Sequence, residues 1–241
     1  MFARMMEKAQ IDTILIGDSL GMVVQGHDST LPVTVNDMVY HTTNVARSNK
    51  QALILADLPF MSYAIQSEAI ANSRQLMQAG AHVIKVEGGS ELCGLVTILA
   101  QAGTPTCVHL GLTPQSVNVF GGYKIQGRSD EAAAKLLADA TAVVEAGAAL
   151  LVLECVPAEL AKAVTEAVEV PVIGIGAGAD TDGQVLVMHD MLGMVHGRAP
   201  RFIHDFLTDE RNTEHSIEGA FALYQQSVRE GSFPQAKHQF D

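Results

Sequence analysis

The chain has no tryptophan, and aromatic residues make up only 5% of its 241 positions. Whatever core it forms must therefore be aliphatic, the kind that packs βα barrels with Val, Ile and Leu. Cysteine is sparse and odd in number: Cys93, Cys107 and Cys155, with no C-x-x-C pair. This pattern excludes a disulfide scaffold, argues against a zinc–thiolate site and fits a reduced, cytoplasmic setting. Basic residues are also short, with 15 Lys+Arg against 27 Asp+Glu and a formal charge of −12. Nucleic acid and anionic membrane surfaces both need a basic footprint, so neither is expected as a partner. No apolar run is long enough to span a bilayer. The opening Met1-Phe-Ala-Arg-Met-Met-Glu-Lys has no signal-peptide core and reads as an amphipathic helix.

Short apolar runs are present instead, and six of them stop on residues that carry or shape chemistry. Ile14-Leu-Ile-Gly ends on Asp18 and Ser19, Leu53-Ile-Leu-Ala on Asp57, and Val83-Ile84 on Lys85 and Glu87. Pro105-Thr-Cys-Val ends on His109, Leu150-Leu-Val-Leu on Glu154, and Val170-Pro-Val-Ile opens into Gly174-Ile-Gly-Ala-Gly. Such runs between amphipathic stretches read as buried parallel strands. In a βα barrel their C-terminal ends converge on one face.

The spacing predicts strands near 12–17, 52–57, 81–87, 105–109, 149–154, 170–175 and, more weakly, 192–196. Helices are expected over 35–47, 66–79, 90–102, 130–146, from Pro157 to about 168, and over a short 182–189. Gly80, Gly103 and Gly147 punctuate the helix ends, and Ser129 is placed to cap the helix at 130. Ile217, Phe221, Tyr224 and Val228 form a helical stripe in the 213–241 tail, for packing on the barrel or contact with another subunit. The count gives seven strands in a single α/β domain over 1–241. An eight-stranded barrel would need one more ahead of Met1, or a neighbouring chain over the gap, since two open edges beside the active face are costly.

Asp18 and Asp57 fall at neighbouring strand ends. Two carboxylates held together repel unless a cation or proton lies between them, and oxygen ligands with room for water and substrate suit Mg²⁺. Each could instead cap the turn after its strand; the pair beside Glu87 favours metal. Lys85 and Glu87, two apart, share the interior face. Lys85 needs an anion there: either a substrate carboxylate or an internal pair with Glu87 or Asp57. Cys107 shares a face with His109 but reads as core, while His109 is either a donor to substrate oxygen or a buried structural histidine. Glu154 follows an apolar run with no evident partner and is suited to act as a general base; Cys155 would then point to the helical layer. The glycines from Gly174 to Gly178 lack a dinucleotide-loop spacing and serve backbone shape. The loop from Leu110 to Arg128 is long for a barrel connection and holds Gly121-Gly-Tyr-Lys and Arg128, either a lid or cofactor contact or equally a solvated surface.

Several strings carry a family resemblance: Gly17-Asp-Ser-Leu-Gly-Met, Gly26-His-Asp-Ser-Thr-Leu-Pro-Val-Thr, Ala56-Asp-Leu-Pro-Phe, Lys85-Val-Glu-Gly-Gly, His109-Leu-Gly-Leu-Thr-Pro-Gln, Leu153-Glu-Cys-Val-Pro and Ile173-Gly-Ile-Gly-Ala-Gly. Together they resemble ketopantoate hydroxymethyltransferase from Met1 nearly to the C-terminus. The resemblance implies a (βα)₈ TIM barrel, Mg²⁺, homo-oligomers of ten subunits, and transfer of a hydroxymethyl group from 5,10-methylenetetrahydrofolate to 3-methyl-2-oxobutanoate. It implies Asp18 and Asp57 as Mg²⁺ ligands with Glu87 direct or through water. Ser19 and Lys85 would hold the keto-acid carboxylate, His109 would lie beside the substrate, and Glu154 would accept the proton. Family members begin with a further strand that does not precede Met1 here. That leaves two rivals to an active transferase: a Mg²⁺-dependent carbon–carbon lyase acting on a 2-oxo acid, and an inactive truncated homologue. An in-frame strand in the DNA upstream of Met1 would speak for a start-site error, and a stop codon for true truncation.

Overall fold

The computed structural model describes residues 1–241 except 196 and 198. Helix α1 (Phe2–Lys8) leads into strand β1 (Thr13–Ile16), the one-turn helix α2 (Leu20–Val23) and α3 (Val35–Ser48). Then come β2 (Leu53–Asp57), α4 (Gln66–Ala79), β3 (Val83–Glu87), α5 (Cys93–Gln101) and β4 (Thr106–Gly111). The connection after β4 carries the short α6 (Val117–Phe120) before α7 (Asp130–Glu145), β5 (Leu150–Glu154), α8 (Ala158–Ala167) and β6 (Val172–Ile175). Two residues of β7 (Gly183–Gln184), the short α9 (Met188–Met191) and α10 (Ile217–Arg229) complete the order. All strand pairs are parallel, in the order β1-β2-β3-β4-β5-β6-β7. This is a βα barrel with seven of eight strands among the described residues.

Local chemistry sets the helix limits. Thr34 and Asp37 form a reciprocal capping box at the start of α3, and Ser129 Oγ accepts the Ala132 N–H at the start of α7. At the end of α4, Gly80 sits at φ +111°, where a Cβ would strike Ala46.

Alternation along the strands sorts side chains into two layers. Ile54, Ala56, Ile84, Val86, Val108, Leu151 and Leu153 face the helices and join the main core. Leu55, Val83, Cys107, Val152 and Ile175 face inward and form a second cluster inside the barrel. Burial pushes the Cys107 thiol up to about 12, as suits an inert core cysteine.

Strand β4 runs two residues further than its sequence suggests. Leu110 does not open the long connection to Arg128: it pairs with Leu153, and Gly111 pairs with Glu154. A polar His109 does not end the strand, because its side chain faces the interior while Leu110 alternates outward into the main core. Leu110 is therefore a packing residue of β4, and the connection proper covers 112–128.

The region after β6 also departs from expectation. The segment 182–189 is not one helix: it holds β7 and only the beginning of α9. Asp182 stitches this edge, donating its N–H to the Val172 carbonyl and accepting the Val172 N–H on Oδ2 at 2.8 Å. Nor is there a strand at 192–195; Gly193, at φ +70°, terminates α9 there, and residue 196 lies outside the described residues. Cys155 also breaks the alternation, because at φ +49° it has left strand geometry, and it lines the cavity.

Helix α10 packs on α1, with Lys8–Glu218 and Asp12–Arg229 ion pairs at 3.0 Å each. Phe221 and Tyr224 are buried with Phe206 and Phe233 in a third cluster, and Tyr224 donates to the Gln184 carbonyl at 2.8 Å. His238 closes this corner in its neutral form: Nδ1 accepts the Gln235 N–H at 3.0 Å. Burial, then the nearby Lys237 and His204 charges, hold it down at about 4. A depressed histidine stabilises the fold fully above its unfolded value of about 6.5, and loses that contribution as pH falls through about 4. The melting temperature is therefore expected to drop by a few degrees between those limits, with His238→Gln flattening that part of the curve in a calorimetric pH series. An unchanged slope would show that His238 is not the group responsible.

Candidate active site

The strand register brings the polar ends together. Asp57 pairs with Lys85, Lys85 with Cys107, Glu87 with His109, and Glu154 lies opposite Gly111 and Ile175. Asp18 and Ser19 follow β1 directly. Asp18, Ser19, Asp57, Lys85, Glu87, His109 and Glu154 all line one cavity of about 1780 Å³. The cavity reaches the unpaired edges of β1 and β7, and α10 contributes Phe221 and Tyr224 to its wall.

Within it, charges form a chain. Lys85 Nζ lies 2.8 Å from Asp57 Oδ1 and 3.4 Å from Glu87 Oε1. His109 is held between two carboxylates, with Nδ1 3.2 Å from Glu87 Oε1 and Nε2 3.2 Å from Glu154 Oε2. Burial alone would lower Lys85, but Asp57, Glu87 and Asp18 outweigh it and hold the ammonium firmly charged. His109 follows the same logic: desolvation is overcome by the interactions with Glu154 and Glu87, giving about 9. Glu87 is correspondingly held down at about 2, where Lys85 and His109 overcome the cost of burial.

Asp18 is the exception. Burial, then the neighbouring Asp57 carboxylate, push it up to about 8. Its backbone N–H donates to Asp57 Oδ2 at 3.1 Å, which ties the two strand ends closely. The Asp18–Asp57 pair thus carries more negative charge than Lys85, 2.8 Å from Asp57 Oδ1, satisfies alone. Such a pair calls for a proton or a cation, and its hard oxygen donors suit Mg²⁺. Among the described residues no three His, Cys, Asp or Glu side chains converge as a ligand set. Glu87 is occupied by Lys85, His109 and the Gln115 N–H. The fit is to a cation on two carboxylates, its other positions left to substrate and water, as Mg²⁺ prefers.

Two residues not anticipated as site groups belong to it. Gln115 ends the His109-Leu-Gly-Leu-Thr-Pro-Gln string, and its amide is buried against Asp18. Tyr63, in the connection after β2, reaches Gln115 Oε1 at 2.7 Å; nothing in its local sequence marks it. From the 112–128 connection, Leu112, Tyr123, Lys124 and Arg128 reach the same cavity, whereas Leu110 does not. No helix is long and apolar enough to cross a membrane among the described residues.

Known proteins resemble this chain at two levels, sequence and fold. A family model described as ketopantoate hydroxymethyltransferase matches residues 1–236. The 3-methyl-2-oxobutanoate hydroxymethyltransferase of Psychrobacter arcticus is 89% identical over 240 residues, covering 100% of this chain and 90% of that protein. The protein of that name from Acinetobacter baumannii (strain AYE) is 59% identical over 239 residues, covering 99% and 88%. Among solved structures, an oxaloacetate acetylhydrolase superposes with a TM-score of 0.57 at 11% identity, over 97% of this chain and 89% of that one. A 2,3-dimethylmalate lyase of the PEP mutase/isocitrate lyase superfamily gives 0.52 at 17%, over 71% and 62%. At such identities the structural likeness is one of fold. On the sequence matches, the chain belongs to the ketopantoate hydroxymethyltransferase family of one-carbon transferases.

Proposed function

We propose that this chain transfers a hydroxymethyl group from 5,10-methylenetetrahydrofolate to 3-methyl-2-oxobutanoate, giving 2-dehydropantoate. The observation that carries the reading is the buried Asp18–Asp57 pair facing a cavity that also presents Lys85, His109 and Glu154. Asp18 and Asp57 are the residues that would hold Mg²⁺, which would supply Lewis acidity to the keto acid when bound. Lys85, permanently charged, and Ser19 at the start of α2 hold the substrate carboxylate. Glu154 lies at the cavity wall with its side chain 15% exposed, the most accessible carboxylate of the charge chain. It removes the C3 proton. His109, fixed by Glu87 on one ring nitrogen, turns the other toward Glu154 and sets its direction. The one-carbon unit gains a carbon–carbon bond to C3 and a hydroxyl from water as its two carbon–nitrogen bonds to folate break, and the C3 proton and one water proton pass to the two folate nitrogens.

Tyr123, Lys124 and Arg128 line the same cavity and are the proposed folate contacts. The cationic pair suits the anionic tail of that cosubstrate.

The protein incubated with both substrates and Mg²⁺ is expected to yield 2-dehydropantoate by mass spectrometry. A chelator should stop formation and added Mg²⁺ should restore it. Absence of product under any metal would overturn the transferase reading; product that persists under chelation would overturn the metal.

A further inference from the structure

The backbone N–H and both side-chain amide atoms of Gln115 are engaged in hydrogen bonds. Its backbone N–H donates to Glu87 Oε2 at 3.0 Å. Its amide Nε2 donates to Asp18 Oδ2 at 2.8 Å and to the Leu58 carbonyl at 3.0 Å. Its Oε1 accepts from Tyr63 Oη at 2.7 Å. The amide can have only this orientation, because a flip would set its oxygen against both a carboxylate and a carbonyl. Tyr63 is fixed in turn by the Glu87 backbone, whose N–H points at Oη from 3.3 Å and whose carbonyl lies 3.1 Å away, farther than the Gln115 oxygen. The path therefore runs from the β3 backbone through Tyr63 and Gln115 to Asp18.

Nothing in the proposed chemistry uses these two side chains, yet they close the buried side of the cluster. A fully satisfied amide there does something a lysine or arginine could not. It fixes a carboxylate oxygen without neutralising it, so the negative charge of the Asp18–Asp57 pair stays available to a cation. Asp18 Oδ1 has no protein hydrogen bond among the described residues, so one oxygen is anchored and the other is left for a ligand.

We infer that Gln115 and Tyr63 are positioning residues that hold Asp18 in the orientation a divalent cation requires. The inference rests on the reading of Asp18 and Asp57 as metal ligands. Outer partners of metal ligands typically contribute roughly 10–100-fold to affinity. Gln115→Met keeps the volume and removes both donors. Tyr63→Phe keeps Gln115 and its donations to Asp18 and Leu58 but leaves Gln115 Oε1 without its donor, so the amide is held less tightly.

The test uses Mn²⁺ alone as probe, free ion being counted by electron paramagnetic resonance, with no substrate or folate present. Gln115→Met is expected to weaken Mn²⁺ binding by roughly 10–100-fold, and Tyr63→Phe in the same direction by less. The double variant should bind no more weakly than Gln115→Met, because Tyr63 acts through Gln115. A residue that merely supports the fold would move the melting temperature and not this coupling. Wild-type affinity in Gln115→Met, or additive losses in the double variant, would overturn the inference. If Gln115→Met does not fold, Tyr63→Phe decides alone: undiminished Mn²⁺ affinity sinks the relay. Wild-type protein that binds no Mn²⁺ would remove the metal reading itself, an outcome distinct from either.

Discussion

Glu154→Gln is expected to slow exchange of the C3 proton of 3-methyl-2-oxobutanoate by roughly 10²–10⁴-fold, the range a positioned general base contributes. The substitution is chosen because it changes little else. The amide it introduces keeps an oxygen to accept from His109 Nε2, which lies 3.2 Å from Glu154 Oε2 in the native site. His109 stays anchored on Glu87, and the Asp18–Asp57 pair is on other strands and keeps its geometry. Exchange in D₂O with Mg²⁺, followed by loss of the C3–H resonance, reads the deprotonation alone and needs no folate. Mg²⁺-dependent thermal stabilisation should match wild type. Undiminished exchange in the variant would move the base elsewhere, and the accessible alternatives are few. Lys85 is held charged by Asp57, Glu87 and Asp18, which leaves His109, raised by Glu154 and Glu87 in the native site, as the next group to test. If both exchange and Mg²⁺ response are lost, Glu154 belongs to the metal site and not to proton transfer.

Much of this site is legible in the chain itself, because strand alternation is a two-fold rule that sequence obeys visibly. Lys85 with Glu87 and Val152 with Glu154 fall on the inner face as spacing demands, and Ile84, Val86 and Leu153 on the outer. What alternation cannot see is a residue whose place is set by a distant partner. Tyr63 lies in a connection, and only its bonds to Gln115 and Glu87 bring it inward. Gln115 belongs to a family-like string, but its amide role depends on Asp18, 97 residues away. Strand ends are equally a matter of partners: Leu110 stays in β4 because Leu153 lies beside it. Alternation also fails where the backbone leaves strand geometry, as at Cys155. At β7 the apolar run Val185-Leu-Val-Met begins only after the strand has ended. The strand's two residues, Gly183 and Gln184, are held by side-chain bonds: Thr181 donates to the Gly183 carbonyl, and the Gln184 amide to Thr181 and the Gly178 carbonyl. A short helix is the natural misreading of a segment whose strand residues are polar, because periodicity counts side chains and not the bonds they make.

Asp57→Ala should be the more damaging change, for stability and for metal together. Asp57 accepts the Asp18 N–H on one oxygen and faces Lys85 Nζ at 2.8 Å with the other. Its removal leaves a buried ammonium with Glu87 at 3.4 Å as its nearest anion. Breaking a buried pair from one side costs about 3–5 kcal/mol, and each kcal/mol lowers the melting temperature of a chain this size by roughly 2–4 °C. Melting without metal is therefore expected roughly 6–20 °C below wild type. The rise in melting temperature with Mg²⁺ follows the logarithm of ligand over Kd, and in Asp57→Ala it should vanish along with turnover. Asp57→Asn separates the two effects: it retains the volume and an acceptor for the Asp18 N–H, so it should melt closer to wild type yet respond no better to Mg²⁺. The converse change, Lys85→Met, leaves Asp18, Asp57 and Glu87 without their shared cation, so its Mg²⁺-induced shift should exceed that of wild type. Retained Mg²⁺ stabilisation in Asp57→Ala would place the ion away from this pair. Equal Mg²⁺ shifts in wild type and Lys85→Met would show that the lysine and the metal do not act on the same carboxylates.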